Sequence, residues 1–399
     1  MSDPTFPPLH QHEDLDLPFF DASHRALMVS VQSFITSGVL APVSTQDVDA
    51  SCRHLVKAMG DAGLLRVCIP QAYGGMSEGI ESRRITLARE GLAYHNGLAD
   101  FALAMQGLGS GPITLAGSEA LRREVLPGVM RGELIPAFAL SEKNAGSDVG
   151  AMSCTARLEG NEYVVNGEKT WISNGGIADI YVLFARTGDP SERHNVSAFV
   201  VYPDDPGFSI AERIDVMAPH PLATLRFDDM RIPAGRLLGE AGQGFKLAMA
   251  TLDIFRVSVA GAALGFARRA LDEALEHVCS RQMFGGTLAD LQYTQVRLGE
   301  MTALVDAAAL MTYRAAWRRD TTNVRTTREA ALAKMTATEN AQQVIDAALQ
   351  MFGARGVQVG GIMESLYREI RALRIYEGAT EVQKVIVARS LLRKARQPA

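Results

Sequence analysis

Residues 154–167 have the sequence CTARLEGNEYVVNG. Residues 154–158 alternate between apolar and polar side chains, as in a strand with one buried face. Gly160-Asn161 predicts a turn, and Asn166-Gly167, at the end of an apolar run, is a strong hairpin signal. Further strands are predicted at residues 180–184, 196–202 and 225–227, which are separated by clusters of Pro, Asp and Gly. We therefore expect a compact antiparallel β domain over residues 134–241.

The sequence before this β domain has the periodicity of α-helices. From Asp21 onwards, apolar residues recur at spacings of three and four, and both Asp21 and Ser23 are plausible helix caps. We expect helices up to about Gly132. Breaks are predicted at Pro70, Gly74-Gly75, a glycine-rich patch at 107–111, and Pro127.

After Gly242 the periodicity is helical again, and it predicts four long amphipathic helices. Gly285 looks like the stop of the first helix, and the second follows Asp290. The third covers about 327–351 and the fourth about 380–395. Four such helices in one block predict a helical bundle.

A chain of 399 residues is too long for one ordinary domain, because single cores rarely grow beyond about 250–300 residues. The order α, then β, then α predicts a multi-domain protein. We expect a flexible N-terminal arm over 1–19, an N-terminal helical domain over 20–133, a middle antiparallel β domain over 134–241 and a C-terminal helical bundle domain over 242–399.

Composition narrows the functional class. The chain is 47% hydrophobic and 21% charged, which excludes a disordered protein or a coiled coil. Its net charge of −5, with 40 basic and 45 acidic residues, does not suggest nucleic acid or an anionic membrane as a partner.

Cysteine usage and hydropathy bear on location. The four widely spaced cysteines lack metal-ligand spacing and indicate reduced thiols in a cytosolic protein. The longest uncharged stretch, Phe101–Ser118, contains four glycines and a proline, so we expect no membrane span. The N-terminus has no secretory signal pattern. We expect a cytoplasmic protein without a metal site.

Two segments of the β domain could face a ligand. Residues 139–148, ALSEKNAGSD, offer hydroxyl and backbone N–H groups to an anion or a heterocycle, although a surface loop has the same composition. In residues 169–174, KTWISN, alternation places Trp171 and Ser173 on one strand face. That pair could stack against a flat ring and hydrogen-bond it, or Trp171 could belong to the core.

Three further segments lie in the helical bundle. Arg281, within 280–286, is either a solvated helix-end charge or a phosphate clamp, and Gln350–Gly353 ends another helix in a comparable way. Residues 374–378, RIYEG, place Glu377 among apolar residues. A desolvated carboxylate is less acidic and suits proton abstraction, although a capping glutamate is the alternative.

In this order and spacing, the five segments resemble the acyl-CoA dehydrogenase family. The resemblance runs from about Asp21 to Arg393 and includes the further stretches 69–75, 126–133, 227–233 and 238–245. It implies an N-terminal helical domain, a middle β domain and a C-terminal four-helix bundle. It also implies FAD as the cofactor, an acyl-CoA substrate, a homotetramer built as a dimer of dimers, and an electron-transfer flavoprotein as the acceptor.

The family pattern transfers residue by residue. Leu140 and Ser141 would meet the flavin's pyrimidine side, Trp171 would stack beside its ring, and Ser173 would hydrogen-bond near N5. The positions that match the family's FAD contacts are Leu140, Ser141, Ser147, Trp171, Ser173, Arg281, Gln292, Gln350, Gly353, Thr380 and Glu381. Of these, Arg281, Gln292, Gln350 and Gly353 would reach the FAD of a neighbouring subunit. The positions that match substrate contacts are Ser147, Asp253, Arg256 and Gly378.

The resemblance implies α,β-dehydrogenation of an acyl-CoA to the trans-2-enoyl-CoA. Glu377 matches the catalytic base, and its backbone N–H would help to stabilise the thioester oxygen. A minority of relatives carry the base at the position of Phe255 here, and phenylalanine cannot accept a proton. Two alternatives remain open: a flavin oxidase or monooxygenase on the same fold, and an acyl-CoA-binding scaffold without flavin. The sequence does not reveal the acyl group.

Overall fold

The computed structural model describes residues 13–189, 195–322 and 324–396. The helices are α1 (Ala22–Thr36), α2 (Val48–Asp61), α3 (Ser82–His95), α4 (Gly97–Ala116), α5 (Glu119–Met130), α6 (Gly244–Ser280), α7 (Gln292–Thr321), α8 (Thr327–Phe352), α9 (Ile362–Leu373) and α10 (Thr380–Ala395). The strands are β1 (Pro136–Ala139), β2 (Thr155–Glu159), β3 (Glu162–Ser173), β4 (Ile180–Arg186), β5 (Val196–Val201), β6 (Phe208–Arg213), β7 (Leu222–Pro233), β8 (Gln282–Met283) and β9 (Gly286–Thr287). The helix–sheet–helix order predicted from the sequence is confirmed.

The chain forms two compact units. The bundle unit contains the described residues up to Ser37, residues Ser82–Asp100, and the described residues from Arg256 onwards. The sheet unit contains Gly38–Glu81 and Phe101–Phe255. Each unit combines separate segments of the chain, so the two units do not coincide with the four consecutive domains predicted from the sequence. Those four domains remain a prediction.

The sheet unit is built on a mixed sheet of seven strands. The strand order is β1-β4-β2-β3-β7-β6, with β5 paired to β4. The ladders β2–β3, β3–β7, β4–β5 and β6–β7 are antiparallel, as predicted. The pairs β1–β4 and β2–β4 are parallel, so the expectation of a purely antiparallel domain is wrong for these two.

The turns predicted at Gly160-Asn161 and at Asn166-Gly167 have different outcomes. Gly160-Asn161 joins β2 to β3, as predicted. Asn166-Gly167 is no hairpin, because both residues lie inside β3 at a shift of its register with β7. Gly167 has φ +136°, and a Cβ there would lie 2.8 Å from the Cα of Cys154. Glycine is thus required for close approach within the sheet rather than for a turn.

The glycine-rich patch at 107–111 does not break a helix, contrary to prediction. Helix α4 runs through it from Gly97 to Ala116. A Cβ on Gly107 would lie 2.5 Å from the ring of Phe255, and one on Gly109 would lie 2.8 Å from Pro136. These glycines therefore allow neighbouring segments of the sheet unit to pack closely against α4. Pro127 likewise lies inside α5 rather than ending it.

In the bundle unit, α6, α7, α8 and α10 match the four predicted helices, and α9 is an additional shorter one. Helix α6 ends at Ser280, and Gly285, predicted as its stop, lies instead in the turn between β8 and β9 with φ +83°. Helix α8 ends as predicted, with Gly353 as its C-cap.

The bundle core joins α6, α7, α8 and α9 through apolar residues that are almost completely buried. The N-terminal arm predicted over 1–19 is described only from residue 13. Residues Glu13–Asp16 form a short 3₁₀-helix, and Leu15 is buried in the bundle core. Asp14 also pairs with Arg268 of α6. This part of the predicted arm is packed, because Leu15 removes apolar surface from water.

Helix α6 is long and apolar enough to cross a membrane by length and composition, with a mean hydropathy of 1.6 in its best window. However, 83% of that window is buried inside the protein. Such burial is typical of a core helix.

Candidate active site

The loop Tyr376–Gly378, between α9 and α10, is held by three buried side chains of the bundle unit. Lys334 of α8 donates from Nζ to the carbonyls of Tyr376 and Gly378 at 2.5 and 2.6 Å. Arg256 donates from Nε to the Glu377 carbonyl at 3.2 Å, and Gln383 donates to the Gly378 carbonyl at 2.8 Å. These bonds fix the backbone of the loop on both sides of Glu377.

Both residues at the centre of this loop have left-handed backbone conformations. The φ of Glu377 is +52° and that of Gly378 is +92°. A residue with a side chain rarely adopts such a conformation, and residues that do so cluster at functional sites. Glu339 of α8 holds the loop ends, since it accepts hydrogen bonds from Arg374 and from Thr380.

The Glu377 carboxyl is half-buried and has an unused acceptor atom. Its Oε2 is buried without a hydrogen-bond partner among the described residues, and its backbone N–H donates no hydrogen bond to them. Burial raises the pKa of the Glu377 carboxyl, although the cations Arg89, Lys334 and Arg256 act in the opposite direction. Glu377 thus presents an unpaired proton acceptor beside an unpaired N–H donor.

A buried ion pair, formed by Arg89 and Asp100, lies close to this loop. Arg89 of α3 binds Asp100 of α4 through two hydrogen bonds of 2.7 and 2.9 Å, and it donates a third to Ser258 at 3.1 Å. Burial raises the pKa of the Tyr376 hydroxyl, and Arg89 acts to lower it. This satisfied network keeps a fixed guanidinium close to the loop, where it favours the ionised form of Glu377.

In the sheet unit, Leu140 and Ser141 run beside β3. The Leu140 carbonyl accepts a hydrogen bond from Lys169 Nζ at 3.0 Å, and the Ser141 carbonyl accepts one from the Thr170 N–H at 3.0 Å. Leu140 is buried and Ser141 is half-buried. The first two predicted flavin-facing residues therefore lie next to the strand that carries Trp171 and Ser173.

A buried salt bridge fixes this arrangement. Lys169 Nζ lies 2.7 Å from Glu142 Oε1, and the two side chains are 0% and 7% exposed. Glu142 also accepts hydrogen bonds from the N–H and hydroxyl of Ser153 and from the N–H of Cys154. Lys169 and these donors lower the pKa of the Glu142 carboxyl, although burial acts to raise it.

Trp171 lies where β3 shifts register between Lys169 and Ile172. Its φ is +60°, and its side chain is 58% exposed. Ile172 is buried and Ser173 is half-buried. Trp171 is therefore not a core tryptophan; it presents a large aromatic face from a strained segment of strand.

A third group of predicted residues lies at helix ends of the bundle unit. The His277 ring stacks on Phe352 with centroids 4.2 Å apart, which brings together the ends of α6 and α8. Arg281 follows the end of α6, whereas Gln350 and Gly353 lie at the end of α8, and all three are exposed. Burial, then Arg355 and Arg281, lower the pKa of His277.

Four further predicted residues lie at separate positions along the chain. Ser147 is exposed in a bend, Asp253 is half-buried on α6, and Gln292 and Glu381 are exposed near the starts of α7 and α10. Residues 13–189, 195–322 and 324–396 contain no group of three His, Cys, Asp or Glu residues placed to hold a metal ion.

Sequence reasoning missed three groups of supporting residues. Lys334 has a usable signal, because it interrupts a stripe of buried alanines on α8. The sequence gives less indication that the pairs Arg89–Asp100 and Lys169–Glu142 are buried. Each of these residues lies in a segment where a charged side chain is also expected at the surface. The alternative base position is occupied by Phe255, whose buried ring packs against Gly107.

The chain matches known proteins along most of its length. The models for the N-terminal, middle and C-terminal domains of acyl-CoA dehydrogenase match residues 21–133, 137–230 and 242–392. The human mitochondrial short-chain specific acyl-CoA dehydrogenase is 36% identical over 395 residues, which cover 96% of this chain and 93% of the human protein.

Two solved structures have the same fold. A chain from the structure of the electron transferring flavoprotein of Acidaminococcus fermentans is 33% identical with a TM-score of 0.88, covering 94% of this chain and 99% of that one. An acyl-CoA dehydrogenase complexed with FAD from Bacillus anthracis is 31% identical with a TM-score of 0.87, covering 94% of this chain and 68% of that one.

The fold and these matches define an FAD-dependent oxidoreductase that acts on CH–CH groups. The chain belongs to the acyl-CoA dehydrogenase family.

The residues present fit FAD. An aromatic side chain as exposed as that of Trp171 can stack against a planar heterocycle, and the half-buried Ser173 hydroxyl lies two residues further along the strand. The satisfied Lys169–Glu142 pair holds the neighbouring residues Leu140 and Ser141 in place. Such a wall can bind the flat ring of a flavin with little rearrangement.

Proposed function

We propose that this enzyme converts an acyl-CoA thioester to the trans-2-enoyl-CoA, with Glu377 as the catalytic base and an electron-transfer flavoprotein as the acceptor. The single observation that carries the proposal is the state of Glu377. Its buried Oε2 and its backbone N–H both lack partners among the described residues, in a loop whose three carbonyls all accept hydrogen bonds.

The two unpaired groups suit the two demands of the reaction. Removal of an α-proton leaves negative charge on the thioester oxygen, which an N–H donor stabilises. Glu377 Oε2 would take the proton, and the Glu377 N–H would donate to that oxygen. FAD, when bound, supplies the acceptor for the hydride that leaves the β-carbon. Leu140, Ser141, Trp171 and Ser173 would bind and orient its ring.

The test is an anaerobic titration of the purified protein with a panel of acyl-CoA thioesters. Because the human relative is described as short-chain specific, the panel begins with butyryl-CoA and extends to longer, branched and aromatic acyl groups. We expect the flavin absorbance to bleach and a stoichiometric amount of trans-2-enoyl-CoA to form. Reoxidation by an electron-transfer flavoprotein, without peroxide release in air, is expected from a dehydrogenase; rapid peroxide release would indicate an oxidase.

We also propose that the protein is a homotetramer. Strongly exposed apolar side chains are found on the bundle unit, near the β8–β9 hairpin and just beyond α8. They include Phe284, Tyr293, Val296, Val357 and Val359. We propose that these side chains contact neighbouring subunits, where their apolar surface would be removed from water.

Arg281→Ala should release FAD and loosen this assembly together, because Arg281 lies in the same region and matches a contact to a neighbouring subunit's cofactor. The matched control is Arg131→Ala, which removes an exposed arginine that pairs with Glu133 in the sheet unit. Light scattering and flavin content measure the two effects. A monomer that keeps full FAD occupancy would contradict the proposal.

We propose a cytoplasmic location, supported by four free cysteines, of which Cys52, Cys68 and Cys154 are buried. Recovery of the protein in an exported fraction would overturn it.

A further inference from the structure

Lys334 is a buried lysine that takes no direct part in the proposed proton and hydride transfers. Its side chain is 1% exposed on α8, among alanines of the bundle core. Lysine is almost never fully buried unless its charge is bound. Here the ammonium is bound by the carbonyls of Tyr376 and Gly378, the two residues that flank Glu377.

Peptide geometry links Lys334 to the Glu377 N–H. The Tyr376 carbonyl and the Glu377 N–H belong to one planar peptide group, in which they point in opposite directions. Binding of the carbonyl by Lys334 therefore fixes the direction of the N–H. A cation on the carbonyl oxygen also polarises the peptide and strengthens its N–H as a donor.

We propose that Lys334 is a positioning residue, which orients and polarises the Tyr376–Glu377 peptide so that its N–H stabilises negative charge on the substrate's thioester oxygen. Its second bond, to the Gly378 carbonyl, holds the other side of Glu377. The inference rests on the proposed function of the Glu377 loop and adds a residue that does not itself contact substrate.

The charges that face this region come from several helices. The charged or titratable groups are Arg89 of α3, Asp100 of α4, Arg256 of α6 and Glu377 of the loop, together with the neutral hydroxyl of Tyr376. Burial lowers the pKa of Lys334 to about 7; Glu377 acts to raise it and Arg256 to lower it. The ammonium form is therefore lost as the pH rises through neutrality, and the polarising charge is lost with it.

The first test is Lys334→Met, which keeps the length of the side chain and removes its charge and donors. Removal of an oxyanion donor typically costs about 10²–10³-fold in rate. Because Lys334 acts through a peptide group, we expect flavin reduction at saturating acyl-CoA to slow by roughly 10–100-fold, with little change in the apparent substrate affinity. In the wild type, the rate of flavin reduction should fall above neutral pH as Lys334 loses its proton, and this fall should be absent in Lys334→Met. Lys57→Met, at an exposed pair with Asp61, is the matched control.

The second test uses acetoacetyl-CoA, whose α-hydrogens lie between two carbonyls and ionise without the enzyme's base. Spectrophotometric titration of the bound flavin measures its affinity as the enolate. Lys334→Met should weaken this binding about 10-fold or more. Glu377→Gln should leave it undiminished, since that variant keeps the backbone N–H and removes a negative charge. If Lys334→Met loses FAD, the titration is made on Lys334→Gln, which retains an N–H donor.

The two proposals fail separately. Wild-type enolate affinity in Lys334→Met, or an alkaline limb that persists in its pH profile, would overturn the positioning role and leave Glu377 as the base. Near wild-type flavin reduction in Glu377→Gln would overturn the base, whereas weakened enolate binding in Lys334→Met would still support the role of Lys334.

Discussion

Glu377→Gln should slow flavin reduction by the best acyl-CoA at least about 10⁴-fold, because general-base contributions are typically 10²–10⁴-fold and no second base is assigned. Glutamine keeps the shape of the side chain but cannot accept the α-proton. FAD content should remain that of the wild type, since no flavin-facing residue of the sheet unit is altered. Stopped-flow absorbance under anaerobic conditions measures the rate.

The pH dependence of the wild type follows from the same carboxyl. The pKa of Glu377 is raised by burial, so the carboxyl is protonated, and the base is lost, as the pH falls through a value above the ordinary range for glutamate. The acid limb of the rate profile should therefore lie above that of an exposed glutamate. Glu300→Gln, at an exposed pair on α7, is the control and should leave rate and profile unchanged. Rapid flavin reduction by Glu377→Gln would show that another group takes the proton.

Lys169→Met should destabilise the sheet unit by about 3–5 kcal/mol, the usual cost of leaving one member of a buried ion pair uncompensated. Lys169 is fully buried and bonds both Glu142 and the Leu140 carbonyl. Its removal leaves the Glu142 carboxylate buried without its cation, so the pKa of Glu142 should rise. Because Leu140 and Ser141 lose their support, FAD should also dissociate more readily. Thermal unfolding and flavin release on dilution measure the two effects.

The matched control for this variant lies on the same pair of strands. Arg226 of β7 pairs with Glu168 of β3, and the two side chains are 58% and 50% exposed. Exposed ion pairs contribute about 0–1 kcal/mol, so Arg226→Met should barely change the free energy of unfolding. Equal destabilisation by Arg226→Met and Lys169→Met would show that burial does not distinguish the two pairs.

The parts of the fold that were predictable depend on local patterns. The apolar run from Ile180 predicts β4, and the Gly160-Asn161 signal predicts the β2–β3 turn, because both follow from neighbouring residues. The glycines at 107–111 and at 167 were misinterpreted for a different reason. Their role is to admit Phe255, Pro136 and Cys154 at close range, and that depends on partners distant in sequence.

The candidate site divides in the same way. Glu377 is predicted as the base because a family pattern surrounds it, and its segment carries one carboxylate among apolar residues. Its left-handed backbone and unpaired atoms were not predictable, since they result from bonds to Lys334 and Arg256, which lie more than forty residues away along the chain. The lysine that interrupts a run of alanines on α8 is a sequence signal for this support, and it was missed.

Removal of an α-proton of an acyl-CoA as the flavin is reduced is the step on which the proposed function depends. It is tested most directly by comparing butyryl-CoA with butyryl-CoA deuterated at the α-carbon, in single-turnover flavin reduction at saturating substrate. The mechanism predicts clearly slower bleaching with the deuterated thioester in the wild-type enzyme. Bleaching at equal rates with both thioesters, or no bleaching by any acyl-CoA of the panel, would contradict it.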